Sequence, residues 1–186
     1  ADWSDWQKYR SDVIHPATLI KPDDLVRARE NARRYPWARD YVERTKASAD
    51  GILRRLSDDY VEAMIEPTTP GCVGPCPACR AKGLPWHPNG QWSWSSSRPD
   101  QITCSVCKTV FPNDQFPEDV VVESTWGRGQ KFTFIGGETF KCFSYTKARP
   151  SISGIIRAKK VSQMASQADT LAVAYALSED ARYARG

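Results

Sequence analysis

Cys76-Pro77-Ala78-Cys79 and Cys104-Ser105-Val106-Cys107 decide how the middle of this chain folds. A Cys-x-x-Cys turn aims two sulfurs at one point, and two such turns complete the tetrahedral thiolate shell that Zn²⁺ prefers. Residues 80–103 separate the pairs, slightly more than the ~15–20 residues usual between two such turns. The competing readings are two disulfides or a redox dithiol. A disulfide closed within Cys-x-x-Cys is strained and rarely structural, and a redox motif needs only one pair. The pattern therefore predicts a structural Zn²⁺ on Cys76, Cys79, Cys104 and Cys107. Four thiolates leave no open coordination position, so the ion would serve folding rather than catalysis.

The flanks suit a small metal-nucleated module. Pro70, Gly71, Gly74, Pro75, Pro77, Gly83, Pro85, Pro88 and Gly90 crowd the first half. That density argues against any helix there and leaves little apolar material for a core. Metal binding supplies the folding free energy that such a segment lacks. The β-branched run Gln101–Phe111 predicts a short hairpin with the metal at its turn. The zinc-ribbon-like insertion is expected over residues 66–117.

The chain has 186 residues, 40% hydrophobic and 26% charged, with a formal net charge of +4. That balance is ordinary for a globular protein and too mild to imply nucleic acid without a clustered patch. Arg54-Arg55 and Arg157-Ala158-Lys159-Lys160 fall within helical patterns and read as solvated faces. No apolar run approaches the ~20 residues of a membrane span. Residues 1–30 contain no signal-peptide core, and an opening at Ala1-Asp2-Trp3 fits a mature end after export or an arbitrary boundary equally. Cys72 and Cys142 stand outside the two pairs. They read as a disulfide, as two free thiols, or with Cys72 as a competing ligand through Cys72-x-x-x-Cys76.

Outside the module the period is helical. Pro22-Asp23-Asp24 opens a first helix with Leu25, Val26, Ala28 and Ala32 on one side, where acids favour the helix dipole. Pro36 opens a second, whose stripe is Trp37, Tyr41, Val42, Thr45, Ala49, Ile52, Leu53 and Leu56. Ser57 caps a short third helix running to Ile65. Residues 120–122 and 131–135 read as strands around a Gly127/Gly129 turn. Ser151 opens the longest helix, ending near Ser178, and Glu179–Ala184 begins another. The expected segments are 1–65 (helices), 66–117 (metal insertion), 118–148 (hairpin and loops) and 149–186 (helices continuing beyond the chain end). The matching stripes at 22–56 and 151–178 predict one shared helical core, with the metal module projecting to one side.

Several segments resemble the heparinase II/III-like polysaccharide lyases. His15-Pro16 through Pro22-Asp23-Asp24-Leu25 looks like that family's opening. Asn31-Ala32-Arg33-Arg34-Tyr35-Pro36-Trp37-Ala38 is similar to its second helix start. Leu171–Ala184 resembles its helix-turn-helix, with Ser178-Glu179 where Thr-Gly is usual. Phe111-Pro112-Asn113-Asp114-Gln115-Phe116 matches the segment that follows a four-cysteine insertion in some members. The resemblance covers roughly residues 15–184.

It implies a mainly α fold, part of an incomplete (α/α) toroid, completed in the full-length protein by further toroid helices and β-sandwich layers. It implies β-elimination at a uronic acid, an acidic polysaccharide as partner, and a periplasmic or secreted setting. No family catalytic motif matches here, so the catalytic groups are expected beyond this stretch. His15 and His87 read as structural. Trp86, Trp92, Trp94 and Trp126 read first as docking the metal module. Trp126 with Arg128 and Lys131 is the candidate substrate contact, since aromatic faces stack on sugars and cations pair with carboxylate or sulfate. The alternative function is a zinc-ribbon module binding nucleic acid or a protein. That reading expects basic residues on the hairpin, and only Lys108 follows the second pair.

Overall fold

The computed structural model describes residues 20–65, 74–123, 129–142 and 145–185. It is mainly α, with small sheets. The described residues fall into two compact units: one up to Ser57 together with the stretch from Ser166 on, the other from Asp58 to Ala165.

The first unit starts with α1 (Pro22–Arg34) and α2 (Pro36–Leu53). One residue separates them. Tyr35 is extended, at φ −114° and ψ 129°, because the ring of Pro36 excludes the helical region for the residue before it. Proline at N1 costs α2 nothing, since that N–H has no helical partner anyway. At the start of α1 the Asp24 carboxylate accepts the Lys21 N–H at 2.8 Å. The unit closes with the end of α5 (Ile152–Ser178) and the single turn α6 (Arg182–Arg185).

Its core is Ala49, Ile52, Leu171, Ala174 and Tyr183, flanked by Leu53 and Leu56. The pairing of the two helical stripes thus holds at Ile52 and Leu171. It fails at the front of α2, where Trp37 is 67% and Tyr41 51% exposed. Their aromatic rings fit the helical period, but period alone does not say which part of a stripe is covered. Ile156, expected in the same core, belongs to the other unit's core.

The second unit contains α3 (Asp58–Met64), α4 (Pro77–Ala81) and a three-stranded antiparallel sheet of β1 (Trp92–Trp94), β2 (Ile102–Cys104) and β3 (Val110–Phe111), in that order. Two separate hairpins follow: β4 (Val120–Glu123) with β5 (Lys131–Phe134), and β6 (Phe140–Cys142) with β7 (Tyr145–Ala148). The helix α4 corrects the expectation that residues 70–90 exclude one. Pro77 occupies N1, where proline is tolerated. Gly83, at φ +62°, ends the turn in the left-handed conformation. Leu84 N–H donates to Cys79 O and Gly83 N–H to Arg80 O, the two bonds of a Schellman motif.

One core joins the cysteines to the opening of α5: Cys76, Ala78, Cys79, Ile102, Cys104, Phe111, Ile135, Ile152, Ile155 and Ile156. Three groups build the start of that helix. Ser151 Oγ accepts the Gly154 N–H at 3.0 Å and donates to Thr133 O at 2.8 Å. The Glu118 carboxylate accepts the Ser153 N–H at 3.1 Å and the Thr133 hydroxyl at 2.9 Å. Orphan helix donors are thereby satisfied by a cap and by a carboxylate placed at the positive end of the dipole. The basic run further along is not one solvated face: Lys160 is only 2% exposed and pairs with Asp100 at 2.7 Å.

Candidate metal centre

Cys76 is the N-cap residue of α4 and Cys79 lies one turn on, so the helical turn itself brings the two sulfurs to one side. The second pair is built differently. Cys104 ends β2, and the chain turns through Ser105 and Val106 to Cys107. Cys104 N–H donates to Thr109 O and Lys108 N–H to Cys104 O, each at 3.0 Å. Lys108 takes φ +61°, a conformation that L-residues adopt only where the surroundings impose it. Its ammonium is tied to Ser105 O at 2.7 Å across the turn. Ser105 N–H in turn donates to Gln91 O at 2.8 Å, fixing the turn to the entry of β1.

The four sulfurs lie within 4.8 Å of one another. The short separations run across the pairs: Cys76 to Cys107 is 3.7 Å and Cys79 to Cys104 is 3.6 Å. A tetrahedron with metal–sulfur bonds of about 2.3 Å has edges of about 3.8 Å, so the thiol set fits a bound metal. It does not fit disulfides, whose sulfurs stand about 2.05 Å apart, and all four thiols are free. Three of the four are buried and Cys107 is half-buried.

Burial pushes the Cys76 thiol well above the ordinary thiol range and Cys79 up to about 11. At Cys107 burial also opposes ionisation, but hydrogen bonding from the Thr109 hydroxyl and backbone outweighs it and brings the group down to about 6. The Thr109 hydroxyl lies 3.2 Å from Cys107 Sγ. Loading a metal must therefore expel protons from buried thiols, which couples binding to pH.

Aromatic rings support the turn region. Trp92 meets Phe111 edge-on at 5.7 Å between centroids, and Phe116 packs tilted against Phe111 at 6.0 Å. Asn113 holds the bend after β3: its side-chain amide donates to Val110 O at 2.7 Å, and its Oδ1 accepts the Phe116 N–H. Gly90 is the one residue that fits beside Trp92, because a Cβ there would stand 1.8 Å from the indole nitrogen.

The remaining site residues predicted from sequence are not brought together. Trp126 and Arg128 lie outside the described residues, as do His15 and Cys72. Lys131 opens β5, exposed, in register with Glu123. His87 is exposed and accepts the Asn89 N–H on Nδ1, away from the thiol cluster. Sequence reasoning missed Arg80 and its seat on Trp86, 5.5 Å from guanidinium carbon to ring centroid. The signal was present as a lone arginine directly after a metal-ligand cysteine. Compared with protein-family models, with curated proteins and with solved structures, the chain finds no match.

Proposed function

We propose that Cys76, Cys79, Cys104 and Cys107 hold one structural Zn²⁺ ion in a zinc-ribbon-like module. We further propose that the chain is the N-terminal part of a polysaccharide lyase acting on a uronate-containing polysaccharide. The zinc assignment rests on the closed thiolate set: sulfur is the ligand type Zn²⁺ favours for structural sites, and four of them leave no position for water. The ion would fix the two turns to each other and thereby complete the core shared with α5.

The lyase reading is carried by one observation in the helical unit. The segment Leu171–Ala184, which resembles the helix-turn-helix of the heparinase II/III-like lyases, is bonded to both α1 and α2. Arg29 of α1 donates from Nε and Nη2 to Ala176 O at 2.9 and 2.7 Å and pairs with Glu179 in the turn before α6. Tyr183 of α6 donates to Asp50 of α2 at 2.9 Å. This arrangement supports helical hairpins of the kind an incomplete (α/α) toroid stacks. In that reading the chain supplies one wall of a cleft. The base that removes the proton α to the uronate carboxylate, the group that neutralises the carboxylate and the acid that assists the leaving oxygen would come from further segments of the same protein. An acidic polysaccharide substrate favours a periplasmic or secreted setting.

Two measurements test this. Metal analysis should return close to one zinc per chain. The complete protein, incubated with alginate, hyaluronan, chondroitin sulfate or heparan sulfate, should release unsaturated uronides, read by the absorbance of the new conjugated double bond. Salt-dependent binding to nucleic acid with no elimination on any of these polymers would instead favour the zinc-ribbon binding module.

A further inference from the structure

We infer that the outer face of α4, beside the thiol cluster, carries a subsite for an acidic sugar ring, with Arg80 clamping its carboxylate and Trp86 stacking on the ring. Identifying the ligand as a glycan unit rests on the lyase reading; the need for an anion with an adjoining apolar face comes from the pocket itself.

The pocket has a volume of about 530 Å³ and is lined by Pro77, Arg80, Trp86, Phe116, Ile135 and Glu138, among others. That is room for one or two sugar rings, within the usual range for small-ligand pockets. Its walls are built on the helix and the core. Pro77 and Arg80 sit on the turn of α4 that also carries Cys76 and Cys79. Ile135 and Phe116 belong to, or pack on, the core beneath.

The two groups that matter differ in exposure: the Arg80 side chain is 20% exposed, its fork reaching the surface at Glu138. Trp86 is 46% exposed, so part of its ring is open to a ligand. The Arg80 guanidinium lies over that ring and pairs with Glu138 at 3.2 Å. Glu138 is 91% exposed on its side chain, and such exposed pairs are weak. Arginine offers a planar fork of five donors that a carboxylate can engage with two parallel bonds. Among the described residues, that fork meets the Trp86 ring and one oxygen of Glu138. A uronate carboxylate entering the pocket would displace Glu138 and complete the fork, while the apolar face of its ring lies on the part of Trp86 that the guanidinium leaves exposed. Glu138 then acts as a tethered competitor: an anion already in place, tying up the cation until a better one arrives.

The test is calorimetric titration of the complete protein with tetrasaccharides of alginate, hyaluronan, chondroitin sulfate and heparan sulfate, each beside its carboxyl-reduced counterpart. At least one acidic tetrasaccharide should bind, with affinity falling as salt is raised, and carboxyl reduction should weaken it about tenfold or more. Arg80→Gln should weaken binding by about tenfold or more, and Trp86→Ala by a comparable factor. Glu138→Gln should tighten it, about two- to fivefold, by releasing the guanidinium. A merely structural role for the trio predicts no such gain. Metal content and circular dichroism report whether each variant is folded; Trp86→Ala and Glu138→Gln alter exposed side chains and keep the test decisive if Arg80→Gln does not fold. No binding by any acidic tetrasaccharide, equal binding of the reduced ones, or unchanged or weaker binding by Glu138→Gln overturns the inference. So does equal affinity for a short peptide with a free C-terminal carboxylate, which would make the site a peptide clamp. Binding without elimination on any polymer sinks the lyase reading and leaves the subsite. Elimination with unaltered KM in Arg80→Gln and Trp86→Ala does the reverse.

Discussion

Arg29 shows how much a single side chain can organise. Its guanidinium accounts for the terminal carbonyl of Ala176 twice over, at 2.9 and 2.7 Å, and reaches Glu179 as well. Carbonyls in the last turn of a helix have no partner within it, so this arginine does for α5 what a backbone cap does elsewhere. Arg29→Gln should cost about 1–2 kcal/mol in urea unfolding, since bonds to a charged donor are the stronger kind. Glu179 bears on the same point. It holds φ +58°, where glycine is at ease and other residues lose roughly 1–2 kcal/mol. In the parent, Glu179→Gly trades that relief against its ion pair with Arg29. In an Arg29→Gln background the pair is already gone, so the glycine should stabilise by about 1 kcal/mol. A double-mutant cycle that shows strict additivity would mean the two residues are not coupled.

Elements were legible from sequence where proline or a capping residue marks their ends. Pro22, Pro36 and Ser151 each open a helix close to where their chemistry places it, and Ser178 closes the longest one. The hairpin of β4 and β5 follows the β-branched run at Val120 and the aromatic alternation at Lys131–Phe134. The clustering of the four cysteines was legible for a simpler reason: ligand type and spacing state the geometry directly. What escaped depends on partners distant in sequence. Nothing local ties Glu118 to Ser153, or Ile135 to the cysteines. The turn of α4 was hidden because proline and glycine, read as breakers, sit at the two positions where a helix accepts them. The hairpin of β6 and β7 had no clear alternation to announce it. At this scale the caps are the testable feature. Ser151→Ala removes a buried cap hydroxyl bonded on both sides and should cost about 1–2 kcal/mol in thermal or urea unfolding. The turn into α6 adds a pH dependence. Asp180 is held below its ordinary value of 3.8 by its side-chain hydrogen bonds to Arg182 and by the Arg182 backbone N–H. A depressed carboxylate contributes fully above its unfolded pKa and loses that contribution as pH falls through its folded pKa. The stability gap between the parent and Asp180→Asn should therefore be constant above about pH 4 and shrink below it.

At the scale of the molecule, the thiol cluster and the front of α5 stand or fall together. Because Cys76, Cys79 and Cys104 share a core with Ile152, Ile155 and Ile156, stripping the proposed metal should release more than the cysteine turns. Hydrogen exchange after chelation, or in Cys104→Ser, should rise in residues 74–117 and in the opening turns of α5. The core of Ala49, Ile52, Leu171 and Tyr183 should keep its protection. Loss confined to the cysteine turns would contradict the shared core. The division of the chain has one more consequence, and it concerns synthesis. The helical unit is discontinuous: its two parts are separated by the whole of the stretch from Asp58 to Ala165. While the ribosome works, α1 and α2 emerge before Leu171, Ala174 and Tyr183, with half of their core still unmade. Joining chain ends across roughly a hundred loose residues costs about 4 kcal/mol of loop entropy beyond the fixed term. If the inserted unit folds first, that loop is already drawn in when Leu171 and Tyr183 arrive. Metal supply during translation would then govern the yield of a helical unit whose described residues include none of the four cysteines, and nascent chains made under zinc starvation should be cleaved by protease within α1 and α2.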